Sequence, residues 1–471
     1  IPFHIRPEHK DLPVKIILST GGVLKTSVEQ SWNGYVTSNT NNGKIKYEFW
    51  GGDKLSILIE DNICNEQIFP DHLRSSIRKT LALLDDPDYD LADYNSLLNG
   101  VLVRDNIVTK NGNINKKKIL KTLRLTNLCQ NLILKWATDN NNLLPAIIAA
   151  ESTLLKTWEF LRANDLLEKS YVKENYRDLF NSFEKVAFNY FSKIQPYCYI
   201  ENGLNVNEGH YLHTCTILFK QLGIVGIFAH IKLHELSSNI NSENNIELFG
   251  DDSSIIETIK ALINNHKSLS SPCYDDHIIE INIAINVLAI CGETDFIEEW
   301  LKNIIDNIWF SYVSMGSYFP ISSDKFDDLI ELNILGNIPK QEMFKLSTLI
   351  PILAQWAVML DLDALYNHIK LRSDEAFQDC VFQVWHPDED TEGVIYNVNA
   401  GYHSGIANAN IELSEDMNDV RQSITDFSEH GVTLGSFSAH KLGYQILLFL
   451  SGRLYRTPPI PQYWQLMNKQ E

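Results

Sequence analysis

Residues 44–53 read KIKYEFWGGD, and residues 14–22 read VKIILSTGG. In the first segment Ile45, Tyr47 and Phe49 alternate with charged residues, which is the period of two that a half-buried strand shows. The second segment is a short apolar run closed by Thr-Gly-Gly, which is typical of a buried strand followed by a turn. A polar helix-to-loop segment joins the two, so the pattern predicts part of an α/β domain.

A helix is predicted to follow the second strand. Asp53 is a plausible N-cap, and apolar residues recur behind it at helical spacing, namely Leu55, Leu58, Ile59 and Ile63. Trp50-Gly51-Gly52 is then a structural turn rather than a reactive site. We interpret residues 1–70 as the C-terminal remnant of an α/β domain, and we expect its beginning to lie upstream of Ile1.

Helical periodicity dominates the rest of the chain. It predicts a mainly α fold, an irregular multi-helix array without a fixed repeat period. An acidic, Asn-rich gap separates a first helical region, 71–238, from a second, 250–471. The second region also contains a predicted β element near 380–398, with one strand before and one after an acidic turn. The Asn/Lys/Gly-rich segment 106–115 is predicted to be a hinge.

Composition restricts the functional class. The net charge of −20 excludes a surface that coats nucleic acid non-specifically over its whole extent. We find no uncharged apolar run of about 18 residues, so no membrane partner is expected. The seven cysteines are scattered without a CxxC pair, and we recognise no secretory signal. These features favour reduced thiols and a cytoplasmic location.

One segment departs from the acidic average. RDNIVTKNGNINKKKILKTLR, residues 104–124, holds seven cations and a single acid, Asp105. The candidate nucleic-acid-binding residues in it are Lys110, Lys116, Lys117, Lys118, Lys121 and Arg124. One interpretation is an ordinary solvated loop and helix start, and the other is a stripe that contacts phosphates.

Histidine spacing suggests a possible metal site. His210 and His213 are three residues apart, and His230 and His234 are four apart, so each pair can share one helix face. The second pair reads HIKLH, however, and no HExxH motif is present. Polar contacts between helices are the alternative interpretation of these four residues.

Two acidic clusters are further candidates for a structural or a cation-binding role. Asp275, Asp276 and His277 open a predicted helix, where carboxylates act as caps. The second cluster surrounds an acidic turn and could bind a divalent cation or form a simple surface turn; it comprises His386, Asp388, Glu389, Asp390, Glu392 and His403. The sequence contains no Walker A, GxSxG or complete GxGxxG motif.

IILSTGG together with KIKYEFWGGDKLSILIEDNICNEQIFP resembles the C-terminal part of an Mrr-like restriction-endonuclease domain. Later segments, among them SPCYDDHIIEINIAINVLAI and LSGRLYRTPPIPQYW, resemble the helical C-terminal region of large bacterial proteins associated with phage defence. The resemblance implies an Asp and Glu/Gln-x-Lys catalytic set that binds Mg²⁺. No residue of this chain matches that set, so the active site is expected upstream of Ile1.

Three functional hypotheses follow. The first is a component of a bacterial antiviral defence system, with a helical assembly or sensing region attached to a DNA-cleaving domain. DNA and protein partners, including self-association, are expected for it. The second is a non-catalytic helical scaffold for protein–protein interaction. The third is a metal-dependent hydrolase that uses the helix histidines.

Overall fold

The structure is a computed structural model and describes most of the helical region and parts of the N-terminal region. The described residues are 14–20, 25–40, 45–51, 69, 71–86, 91–205, 211–239, 253–315, 319–323, 325–335, 344–397, 405–430, 432 and 434–457. The predicted helix after Asp53 lies outside them. Where it is described, the protein is mainly α, as the sequence predicts.

The chain divides into two compact units, Ile1–Leu97 and Leu98–Glu471. The first unit therefore extends past residue 70, the predicted end of the α/β remnant. The predicted helical regions 71–238 and 250–471 both contribute helices to the second unit.

A β-α-β arrangement opens the first unit. Strand β1 (Val14–Ser19), helix α1 (Thr26–Asn39) and strand β2 (Ile45–Trp50) follow one another, and the strands pair in parallel with Val14 opposite Ile45. Both predicted strands are thus confirmed. The prediction that the first is buried is wrong, because four of its six residues are exposed, including the apolar Ile17 and Leu18.

Two helices complete the described part of this region. They are α2 (Asp71–Leu83) and α3 (Ala92–Val101), and the division between the units falls within α3. The predicted hinge at 106–115 is instead a tight turn: Val108 and Ile114 form an antiparallel bridge, and Gly112 adopts a positive φ of 79° at its tip.

A bundle of three long helices begins the second unit. These are α4 (Lys116–Asp139), α5 (Leu144–Ala163) and α6 (Ser170–Cys198), and each packs against the other two. In α4 the buried residues recur at helical spacing, with Ile119, Leu123 and Ile133 fully buried or nearly so. One face of α4 is therefore committed to the core, and the opposite face is left to solvent.

Two apolar helices lie at the centre of the unit. Helix α7 (Tyr211–Asn239) packs along α9 (Ile278–Ile290), and eleven consecutive residues of α9 are buried. Helix α7 continues without a break through Gly223. A Cβ at Gly223 would lie 2.9 Å from Glu280 Cγ, and one at Gly226 would lie 2.7 Å from Ile283 Cγ2, so the glycines allow close helix approach.

Helix α7 is the one described helix that is long and apolar enough to cross a membrane by length and composition. Within this fold, 78% of its most apolar window is buried inside the protein. It therefore has the environment of a core helix.

The remaining helices surround this centre. They are α8 (Ser253–Asn265), α10 (Thr294–Phe310), α11 (Phe326–Ile330), α12 (Leu349–Met359), α13 (Asp363–Ala376), α14 (Met417–His430), α15 (Ser438–Lys441) and α16 (Ile446–Tyr455). The segment 438–455 thus holds two helices, α15 and α16. The last one, α16, returns to pack on α5, α7 and α9, which joins the end of the chain to its middle.

A small sheet adds the β element. Strand β4 (Val381–His386) pairs in parallel with β3 (Leu346–Ser347) and antiparallel with β5 (Ile406–Ala409). The predicted first strand near 380–398 is confirmed. The predicted second strand is wrong, because Thr391–Gly393 forms a 3₁₀ turn and the true antiparallel partner lies further along the chain.

Candidate nucleic-acid interface

The start of α4 is fixed by the turn that precedes it. The Asn115 side chain caps the helix by accepting from the Lys118 backbone N–H at 3.2 Å, and the Asn115 N–H donates to the Ile107 carbonyl at 2.8 Å. The Lys118 ammonium donates to the Val108 carbonyl of the same turn. The basic residues therefore stand on a defined helix end and not on a loose loop.

Three of the basic residues lie on one outward helix face. Lys117, Lys121 and Arg124 are spaced by four and three residues, so they lie above one another over about 10 Å of helix axis. All three are exposed. We call this set, Lys117, Lys121 and Arg124, the basic stripe.

The other three candidates flank the stripe. Lys116 lies with its ammonium 4.8 Å from the ring centroid of Tyr171 on α6, Lys118 is bound to the turn, and Lys110 stands on the turn itself. Each of these side chains is also exposed. The structure thus gathers all six predicted residues at one end of the α4–α6 bundle.

The charge of this region is not neutralised within the described part of the protein. None of the ion pairs there involves any of the six residues, whereas exposed lysines elsewhere, such as Lys46 and Lys135, pair with neighbouring carboxylates. In a chain of net charge −20 this is a local positive surface without carboxylate partners among the described residues.

The charges in the first turn of α4 are the opposite of those that stabilise the start of a helix. The amino end of a helix carries a partial positive charge that favours acidic residues, and cations there are unfavourable. The first turn of α4 contains no acidic residue and begins with three lysines, Lys116, Lys117 and Lys118. Helix stability alone would select the opposite charge, and such a conflict is expected where function sets the sequence.

The predicted metal histidines do not form a site where they are described. His213 is exposed beside Phe326, while His230 lies 17 residues along α7, about 25 Å away by helix rise. His230 stacks on Phe449 and its Nε2 contacts the Ile283 carbonyl at 3.2 Å. Burial lowers the pKa of His230 to about 4, so the ring is neutral at pH 7.

His234, the fourth residue along from His230, is exposed and has contacts of its own, and His210 lies outside the described residues. Across the described ranges, no group of three or more His, Cys, Asp or Glu side chains is arranged to hold a metal ion. The histidine interpretation as interhelical contacts accounts for His230.

The acidic cluster at 275–277 is a cap, but for a different helix from the one expected. Asp275 accepts from the Ser347 hydroxyl and the Thr348 N–H, each at 2.6 Å, and so closes the start of α12. Burial raises the pKa of Asp275 to about 6, although these hydrogen bonds favour its charged form. His277 is buried beside Phe219 with its ring stacked.

The acidic turn after β4 is also held by internal contacts. Asp388 accepts from the Asp390 N–H at 3.0 Å and the Thr391 hydroxyl at 2.9 Å, while Glu392 accepts from the Ser438 N–H at 2.6 Å. His403 lies outside the described residues. The surface-turn interpretation accounts for the carboxylates whose contacts are described.

Ion pairs that the sequence patterns do not indicate join the end of α16 to α5 and α9. Arg456 donates to Asp276 at 2.8 Å and to the buried Glu280, and Arg453 pairs with the buried Glu151. We call these five residues the buried ion network. It ties α16 to α5 and α9, and sequence separations of about 180 to 300 residues gave no local signal for it.

Comparison with known proteins adds no family. No protein-family model, no curated protein and no solved structure matches the chain.

Proposed function

We propose that this chain is a DNA-contacting component of a bacterial antiviral defence system. In this proposal the helical unit 98–471 serves assembly or sensing, and its basic stripe contacts the phosphates of DNA. The α/β region belongs to an endonuclease-like domain that cleaves DNA with Mg²⁺, and no catalytic residue is assigned within this chain. The location is the cytoplasm, where DNA and protein partners of the system meet.

One observation carries the DNA contact. Three exposed cations stand on one face within the first nine residues of α4, with no carboxylate of the described residues to neutralise them. The defence context and the endonuclease-like domain rest on the resemblance of residues 14–70 and the later helical segments.

The spacing suits phosphates more than bases. Successive steps of about 6 and 4.5 Å along the helix axis set the stripe residues in one row, so the face can lie along a backbone that carries one charge per about 3.4 Å of each strand. Lysine binds phosphate as a point charge, and arginine can bind it with two hydrogen bonds. Contacts of this kind fix position and are independent of sequence.

The test is a DNA-binding measurement with a charge-matched control. Fluorescence anisotropy at about 50 mM salt compares the parent chain, a stripe variant (Lys117→Glu, Lys121→Glu, Arg124→Glu) and a control (Lys185→Glu, Lys302→Glu, Lys441→Glu). Both variants change the net charge by the same amount, and all six residues are exposed. We expect at least a 30-fold loss of affinity in the stripe variant and less than threefold in the control.

Equal losses of DNA affinity in the two variants would mean that net charge alone causes the effect. That result would contradict a defined interface. Absence of DNA binding by the parent chain would leave the helical scaffold as the better hypothesis.

A further inference from the structure

A polar pocket lies between α8 and α10, away from the residues of the basic stripe. Its volume is about 300 Å³, at the lower end of the range for small-molecule sites. The wall formed by α8 and the turn Lys267–Ser270 contributes Asn264 and Lys267. The wall formed by α10 contributes Phe296, Glu299, Trp300 and Asn303.

The walls of the pocket are tied together. The Trp300 indole N–H donates to the Leu269 carbonyl at 3.1 Å, and the Asn307 amide donates to the Ser270 carbonyl at 2.9 Å. Both bonds join α10 to the turn Lys267–Ser270. The pocket is therefore set by the fold, and a ligand would not have to order it.

Four of its polar side chains are unengaged. Asn264, Lys267, Glu299 and Asn303 are exposed, and none makes a side-chain hydrogen bond or ion pair with another described residue. These four groups and two aromatic side chains, Phe296 and Trp300, which we call the aromatic floor, line one concave surface. Small-molecule sites combine apolar walls with a few polar groups in this way.

We propose that this pocket binds a mononucleotide with an adenine-type base. Phe296 supplies the stacking surface for the base, and the Lys260 ammonium also lies 5.9 Å from the centroid of its ring. An asparagine amide can pair with both N6 and N7 of adenine, which suits Asn303 or Asn264. Glu299 can accept from a ribose hydroxyl, as acidic residues do in other nucleotide sites, and Lys267 supplies a cation for the phosphate.

The combination of an aromatic ring, two amides and a lysine in one pocket indicates the ligand class. A nucleoside would leave Lys267 without a partner, and a free phosphate would leave the aromatic floor and the two amides unused. A nucleotide of a DNA strand presents the same groups as a free mononucleotide, so the experiment must separate these two sources.

Isothermal titration calorimetry tests the proposal with three probes, AMP, adenosine and ribose 5-phosphate, on the full chain at about 150 mM salt. We expect AMP to bind with a Kd below about 1 mM and at least tenfold more tightly than either fragment. Lys267→Ala should weaken AMP at least tenfold and change adenosine less than twofold, while Asn303→Ala should weaken both.

Lys302→Ala is the matched control, because Lys302 is exposed on α10 and does not line the pocket. Circular dichroism melting of each variant verifies that the helices persist. An AMP Kd above about 5 mM in the parent chain, or unchanged AMP affinity in Lys267→Ala, would overturn the proposal.

Two further titrations distinguish free nucleotide from a DNA strand end, and the pocket from the basic stripe. A 5′-phosphorylated oligo(dA), titrated into the stripe variant, should bind more weakly than AMP if the pocket takes free nucleotide, and tighter binding would assign the pocket to a strand end. The stripe variant should bind AMP as the parent does, so loss of DNA binding and loss of nucleotide binding report on different proposals.

Discussion

The basic stripe and the buried ion network use the same kinds of charge in opposite ways. In the network, Arg456 lies between Asp276 and the buried Glu280, and Arg453 meets the buried Glu151. In the stripe, Lys117, Lys121 and Arg124 face solvent and have no carboxylate partner among the described residues. The first arrangement pairs its charges within the fold, and the second leaves its charges exposed to solvent.

The comparison distinguishes cations that are paired inside the fold from cations that are exposed and have no carboxylate partner among the described residues. A buried ion pair that loses one member leaves an uncompensated charge, so the network must be complete for the fold to be stable. An exposed, unpaired cation contributes nothing comparable, and at the amino end of a helix it is mildly unfavourable. Mutations should therefore affect stability in one region and binding in the other.

The largest effect on stability is expected at Arg456. Arg456→Met removes the cation and leaves Asp276 and Glu280 without it, which should lower the free energy of unfolding by about 3–5 kcal/mol. Urea unfolding followed by circular dichroism measures this. Arg421→Met, at an exposed pair with Asp361, is the control and should cost less than about 1 kcal/mol. A loss below about 1 kcal/mol for Arg456→Met would show that the network is not structural.

Asp275 provides an intermediate case, a buried carboxylate without a cationic partner among the described residues. Its pKa in the fold is about 6, above the value of about 3.9 for an unfolded aspartate. The folded state therefore holds the proton between these values, so stability from this group is present below about pH 4 and is lost as pH rises to about 6.

Asp275→Asn should remove that pH dependence. Between pH 4 and pH 6, the parent chain should lose about 2–3 kcal/mol more of its unfolding free energy than the variant does. Urea unfolding of both proteins at several pH values measures the difference. Parallel pH profiles would contradict the raised pKa.

The smallest effect on stability is expected in the stripe. Lys117→Glu puts an acidic residue into the first turn of α4, where it complements the helix dipole, so stability should rise by about 0.3–1 kcal/mol. Thermal melting at low salt detects the change, and Lys302→Glu, on α10, provides the control. A loss of more than about 1 kcal/mol would mean that Lys117 has a structural role.

Local patterns predicted much of the fold. The face that an element buries determines the spacing of its apolar residues. The alternation in 45–50 and the helical periodicity in 116–139 therefore predict β2 and α4 at the positions that the structure shows. The six basic residues were found because they are consecutive or nearly so. Their lack of carboxylate partners among the described residues depends on how the surrounding helices pack, which local sequence patterns do not report.

Non-local contacts account for most of what the sequence did not predict. The partner of β4 is β5, about 25 residues away, so a nearer segment was mistaken for it. Asp275 caps α12, more than 70 residues later, although its position suggested its own helix. The pocket between α8 and α10 depends on how two helices pack, and no spacing of its polar residues reveals that.

The salt dependence of DNA binding tests the role of the basic stripe most directly. Each phosphate contact contributes about 0.9 to the slope of log K against log salt on duplex DNA. A variant with Lys117→Gln, Lys121→Gln and Arg124→Gln should reduce that slope by about 2.7 relative to the parent chain. The corresponding Gln changes at Lys185, Lys302 and Lys441 should leave it within about 0.5. An unchanged slope in the stripe variant would contradict the assignment of α4 as the DNA-contacting surface.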